Sequence, residues 1–293
     1  MAPNPFVDRE LAALREGGYR GPAWRAFGRA LAASAGASAA ARPELARELG
    51  LARLGALAVA AAVSLALLAD GVPALGAVPL PALAALLLLA WVGVELGLVR
   101  HPLTGVPSPA IGPANLMSLF RGWAAVPVLL LGLSLRRPDW LWFGLCLAAG
   151  LTDLFDGTVA GRLGQESRLG RLLDPVMDAC FFSAAAAGVA RWGLMPAWLA
   201  ALVALRYFVP VLGGLALMLA RGRTLPVRHT AWGQRSTLAI GLALTLTWLS
   251  SLVALPAPLL PAIYAVALAT MALALAGILR RAPVGAVADP GAP

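Results

Sequence analysis

Apolar residues in this chain come in runs long enough to cross a bilayer, which leaves it very few possible folds. Eight such stretches lie near 51–69, 76–99, 115–135, 139–160, 173–190, 195–220, 235–254 and 258–279, separated by connectors containing glycine or proline. About 20 apolar residues in a helix cover a hydrocarbon core. No water is present there to satisfy exposed N–H and C=O groups, so only helices and closed barrels can span it. The runs are continuous rather than alternating, which favours helices over a barrel. A mean hydropathy of +0.81 agrees. The sequence therefore specifies an all-α polytopic membrane protein.

Charge gives the expected orientation. All 23 basic residues are arginine. Threaded through the eight spans, 19 fall on one side with both termini and 3 (Arg136, Arg137 and Arg191) on the other, while Arg206 lies inside a span. Positive loops stay on the cytoplasmic side, so both termini are expected there. The same bias accounts for the high isoelectric point without nucleic acid, because the spans leave no soluble module large enough to bind it. Cys146 and Cys180 fall in apolar segments and read as small buried hydrophobes.

The chain divides by composition. Residues 1–50 are an arginine-rich cytoplasmic head, either an amphipathic helix on the membrane surface or a partly disordered tail. Residues 51–100 form two accessory spans without an obvious chemical motif. Glu95, the acid of the second, reads as structural. A break rich in proline and glycine follows, then six spans, and residues 282–293 read as a disordered tail.

Residues 153–178 carry the chemistry. Asp153 and Asp156 lie three apart, and Asp174 and Asp178 four apart, in a chain only 13% charged. Either spacing puts a pair on one helix face. Carboxylates near lipid are costly and mark a task or a partner. Two such helices side by side would aim four oxygen-bearing groups at one point, as hard divalent cations require.

Together with Gly157, Ala160 and Gly170, the four aspartates match seven of the eight fixed positions of the pattern D-x2-D-G-x2-A-R-x8-G-x3-D-x3-D. The stretch resembles the CDP-alcohol phosphatidyltransferase family, over about residues 106–281. Asn115, Ser118 and Arg121 echo the family's entry to its first span, and Gly233, Gln234, Arg235 and Thr237 an opening of its fifth. The departure is Gly161, where the family carries arginine; Arg162 follows it, and one residue turns a side chain about 100° around a helix. An inactive homologue therefore stays among the readings, as does a cation transporter.

The resemblance implies a six-helix bundle preceded here by two extra transmembrane helices, and a homodimer. It implies transfer of a phosphatidyl group from CDP-diacylglycerol to an alcohol, with release of CMP. Two divalent cations, Mg²⁺ or Mn²⁺, would be held by Asp153, Asp156, Asp174 and Asp178, with Asp178 also taking the proton of the attacking hydroxyl. Gly157, Ala160, Arg162 and Gly170 would line the nucleotide, although small residues also serve helix packing. Arg121, Arg206 and Arg235 are candidates for an acceptor's phosphate. The wording around LDPVMD points to glycerol 3-phosphate or phosphatidylglycerol as acceptor. Inositol phosphate, serine and CDP-aminoalcohol substrates stay open. A bacterial cell membrane, with the site on its cytoplasmic face, is the expected location. Pro175 either bends a helix or opens one behind Asp174 as cap.

Overall fold

The structure is a computed structural model, and it describes residues 5–100, 105–108, 110–163, 167–224 and 231–281. The side chains of Asp156, Gly157, Ala160 and Arg162 lie outside what it describes, as does the tail 282–293. The described chain is helical throughout, with helices α1 (Pro5–Glu16), α2 (Gly21–Ala41), α3 (Pro43–Ala69), α4 (Ala74–Ala77), α5 (Pro79–Val94), α6 (Pro113–Ser134), α7 (Trp140–Leu163), α8 (Arg168–Arg191), α9 (Ala197–Arg221), α10 (Ala231–Leu249) and α11 (Leu259–Arg281). Pro22, Pro43, Pro79 and Pro113 stand in the first turns of α2, α3, α5 and α6. Proline lacks the N–H that a first turn would leave unbonded anyway, and its φ is already helical.

Among the described residues, six helices are long and apolar enough to cross a membrane: α3, α4 continued into α5, α6, α8, α9, and α11 through Gly277. Of the other two expected spans, α7 has its apolar stretch Trp140–Asp153 among the described residues, and α10 carries the polar residues Gln234 to Thr237 in its first turns. Two boundaries also move. α3 starts at Pro43, eight residues before the apolar run, and α8 starts at Arg168 rather than 173.

The chain forms two compact units, residues 1–227 and 228–293. In the second, α10 and α11 pack through Ala239, Ala243 and Ala267, and Thr247 Oγ1 lies 2.7 Å from the Tyr264 hydroxyl. In the first, α6 is central, packing on α7 and most closely on α8, while α8 packs in turn on α9.

Glycines set how close α6 and α8 come. A Cβ on Gly132 would stand 2.5 Å from the Gly188 Cα, and one on Gly122 1.8 Å from Met177 Sδ. Only glycine allows backbones to approach this nearly, the usual basis of tight helix pairing in lipid.

The described part of the head, residues 5–50, is helical and docked on α9 rather than a disordered tail. Asp8 accepts hydrogen bonds from the N–H and hydroxyl of Thr224, each at 2.7 Å, just past the end of α9. The Tyr19 hydroxyl donates to the Leu219 carbonyl. α9 ends on Gly222 at φ +61°, where a Cβ would come within 3.3 Å of the Ala12 Cα. The accessory helices are likewise built into the fold. Leu45 and Leu49 of α3 and Leu89 of α5 share one buried cluster with Leu119 of α6 and Leu173 of α8.

Candidate active site

Three polar residues at spacings of three form one face of α6: Asn115, Ser118 and Arg121 are 3%, 2% and 0% exposed. Each meets the motif. Asn115 and Ser167 exchange side-chain hydrogen bonds at 3.0 and 3.1 Å, and Ser167 accepts from the Gly170 N–H at 2.9 Å as the N-cap of α8. A serine hydroxyl at this position satisfies an N–H that the helix cannot. Ser118 donates to Asp174 Oδ1 at 2.6 Å. Arg121 donates from Nη1 to Asp153 Oδ1 at 2.8 Å, and its Nε stands 2.8 Å from Asp178 Oδ1 in an ion pair whose angle falls short of a hydrogen bond.

Carboxylates from α7 and α8 thus converge on one guanidinium. Arg121 has a side chain 1% exposed, against 24% for Asp153 and 18% for Asp178. The acids form the accessible side of the group and the cation seals it from behind. Breaking a buried pair by deleting one partner costs about 3–5 kcal/mol, so each member holds the others in place.

Arg206 of α9 comes to the same place. It is 8% exposed, its guanidinium sits 5.3 Å from the Tyr207 ring centroid, and Asp178 is near enough to act on its charge. Tyr207 in turn stacks on Phe182 of α8, with centroids 4.9 Å apart. Arg235 belongs to the second unit, where it lies over Trp232 at 4.7 Å.

The motif's small residues separate. A Cβ on Gly161 would meet nothing within 4 Å. On Gly170 it would press within 2.5 Å of Asn115 Oδ1, so the contact that demands glycine there is with α6. Pro175 is interior to α8, because the cap is Ser167 and not Asp174. The backbone from Arg171 onward therefore lacks one helical N–H just beside Asp174.

The donors suit a hard cation. They are carboxylate oxygens, and a positive group already stands where Asp153 and Asp178 meet. Among the described residues, no three carboxylate, histidine or cysteine side chains are close enough to enclose one ion. The fourth aspartate of the motif, Asp156, has its side chain outside that description.

The sequence profile of the CDP-alcohol phosphatidyltransferase family matches residues 112–278, more than half of the chain. The chain belongs to this family. The matched region begins at α6 and takes in every helix after it, so the shared part of the CDP-alcohol phosphatidyltransferase fold is the part that carries the site. Among curated relatives, a protein of Cereibacter sphaeroides named CDP-diacylglycerol--glycerol-3-phosphate 3-phosphatidyltransferase is 34% identical over 87 residues, 29% of this chain and 39% of that protein. A Mycobacterium tuberculosis protein named probable phosphatidylglycerophosphate synthase, found alike in two strains, is 32% identical over 101 residues, 32% of this chain and 46% of that one. The chain spans less than half the length of the curated relatives it matches. No solved structure matches it.

Ser118, Asn115 and Ser167 were the site residues hardest to single out from sequence. The first two echo the family's entry pattern, and their spacing to Arg121 marks a shared helix face. Nothing in the sequence marks Ser167 as their partner.

Proposed function

We propose that the protein is a phosphatidyltransferase of phospholipid synthesis, taking the phosphatidyl group from CDP-diacylglycerol to an alcohol and releasing CMP. The observation that carries this reading is the convergence of Asp153 and Asp178 on Arg121, with Asp174 fixed by Ser118 beside them. Mg²⁺ or Mn²⁺ held by Asp153, Asp156, Asp174 and Asp178 would supply positive charge to the pyrophosphate oxygens, which otherwise repel an incoming nucleophile. The acceptor oxygen attacks the phosphorus that bears the diacylglycerol. A new P–O bond forms there, the bond to CMP breaks, and CMP leaves with the electron pair. Asp178 accepts the hydroxyl proton as the new bond forms. Arg121 keeps Asp178 aimed from behind and is sealed from solvent, so its task is positioning the acids rather than holding the acceptor.

Arg206 is placed to bind a phosphate on the acceptor. An arginine within a span faces a polar cavity by preference, and its planar fork matches phosphate oxygens. The names of the two relatives favour glycerol 3-phosphate as the acceptor over phosphatidylglycerol. The arginine bias supports a site on the cytoplasmic side.

The test uses purified full-length protein, labelled CDP-diacylglycerol and a panel of glycerol 3-phosphate, phosphatidylglycerol, inositol phosphate and serine. CMP release with glycerol 3-phosphate, a matching lipid product and suppression by EDTA are expected. No CMP with any of these alcohols, in either Mg²⁺ or Mn²⁺, would overturn the proposal.

A further inference from the structure

A second group of arginines lies where the accessory helices meet α8, and among the described residues it has no carboxylate paired with it. Arg42, between α2 and α3, donates to the carbonyls of Val99, Ser108 and Leu96 at 3.0, 2.8 and 3.2 Å. Arg100 donates to Gly97 and Gly105 carbonyls at 3.1 and 3.4 Å. Arg168, first residue of α8, gives its backbone N–H to the Arg100 carbonyl at 2.9 Å. Its side chain differs from the other two. The residue is 7% exposed, and Nε meets no hydrogen-bond acceptor.

The three cations act on one short stretch of backbone. Arg42 has its pKa lowered, by its burial and then by the charge of Arg100. A Cβ at Gly105, the residue whose carbonyl Arg100 binds, would meet Arg168 Nη2 at 3.6 Å and nothing else within 4 Å. Glycine there, at φ +70°, leaves that side of the guanidinium uncovered. The first turn of α8 also carries no acid, although a helix N-terminus is itself electropositive. A guanidinium out of water with an unmade hydrogen bond is costly. Two more cations beside it raise that cost unless an anion joins them.

We propose that Arg42, Arg100 and Arg168 form a binding site for a phosphate group, separate from the aspartate centre. Guanidinium forks bind phosphate through charge-assisted hydrogen bonds, which are about twice as strong as neutral ones. Arg168 supplies the unmet donor, while Arg42 and Arg100 supply charge and hold the backbone that shapes the site. The phosphate belongs either to an anionic lipid headgroup or to a soluble phosphate.

Thermal unfolding of the full-length protein in EDTA tests this, because the aspartate centre then has no metal to recruit phosphate. One arm titrates inorganic phosphate against sodium chloride at equal ionic strength. The other compares nanodiscs of phosphatidylcholine with and without phosphatidic acid. Wild type is expected to gain stability in at least one arm, which names the source. Arg168→Gln should bind about tenfold more weakly or worse, the loss expected for a charged hydrogen bond. Asp178→Asn should bind as wild type does. Because Arg168→Gln could fold poorly, phosphate or phosphatidic acid should also slow modification of Arg168 and Arg100 by phenylglyoxal in wild type, read by peptide mapping. No stabilisation in either arm, equal binding by a folded Arg168→Gln, loss of binding in Asp178→Asn, or no protection of Arg168 and Arg100 would each overturn the proposal.

Discussion

Two buried arginines on the helices that build the site make opposite kinds of contact. Arg121, in the middle of α6, stands between Asp153 and Asp178, both 2.8 Å away. Arg168, at the start of α8, is also buried yet has backbone and other arginines around it. The first is a cation whose charge is already balanced, so it fixes the direction of two acids. The second is a cation still owed an anion. Both are buried arginines, and the neighbours decide whether the arginine organises a site or constitutes one.

The largest expected effect is at the balanced centre. Asp178→Asn keeps the shape of the side chain and removes its basicity. CMP release should fall about 10²- to 10⁴-fold, the range a positioned base contributes, while circular dichroism is unchanged. Near-normal turnover would end the assignment of Asp178 as base.

Next in size is the ion-pair group itself. Arg121→Met leaves two carboxylates facing each other without their cation. A loss of about 3–5 kcal/mol is expected in equilibrium unfolding, since an uncompensated charge is left behind. Adding Asp153→Asn and Asp178→Asn to the same chain should recover most of that loss, because the charges then go together. If the single change costs no more than a surface arginine does, about 0–1 kcal/mol, the convergence seen around Arg121 is not what holds these acids.

Smaller again are the glycines that let α6 and α8 meet. Gly132→Ala forces a methyl to within 2.5 Å of the Gly188 backbone and should destabilise by about 1–3 kcal/mol, read as a lower unfolding midpoint. Gly161→Ala, at a position open on all sides, should instead stabilise α7 by about 0.5–1 kcal/mol. A neutral or stabilising effect of Gly132→Ala would mean that α6 and α8 do not cross this closely.

What was legible in the sequence follows from how local each signal is. The spans were readable because lipid demands an apolar run, and the aspartates because three- and four-residue spacings are helix geometry. α8 was placed five residues late because its first turn is polar and its start is set by Ser167, whose partner Asn115 is 52 residues away. The head's sequence allows a surface helix or a disordered tail because its docking depends on Thr224 and Leu219, 216 and 200 residues downstream of their partners Asp8 and Tyr19. The spacing of Gly170 likewise gives no hint that Asn115 lies against it. In each case the missing information was a tertiary partner, which no single-chain spacing encodes.

The accessory spans carry no chemical motif, yet Glu48 of α3 gives them a role at the site. Its carboxylate accepts from the Ile111 and Gly112 N–H groups at 2.7 and 3.1 Å, at the start of the helix that carries Ser118 and Arg121. The first N–H groups of a helix have no partner within it, and a negative charge there also opposes the dipole favourably. Glu48→Ala should therefore cost about 1 kcal/mol, while Glu48→Gln, which keeps an acceptor, should cost less than half as much. Activity sharpens the point. Glu48 is remote in sequence from every aspartate and acts only through α6, so Glu48→Ala should lower kcat with little change in the KM for the CDP-lipid, and Glu48→Gln should restore most of it. If the two variants are equally impaired, charge rather than placement of α6 is what matters. If neither is impaired, the accessory helices stabilise the fold without positioning its acids.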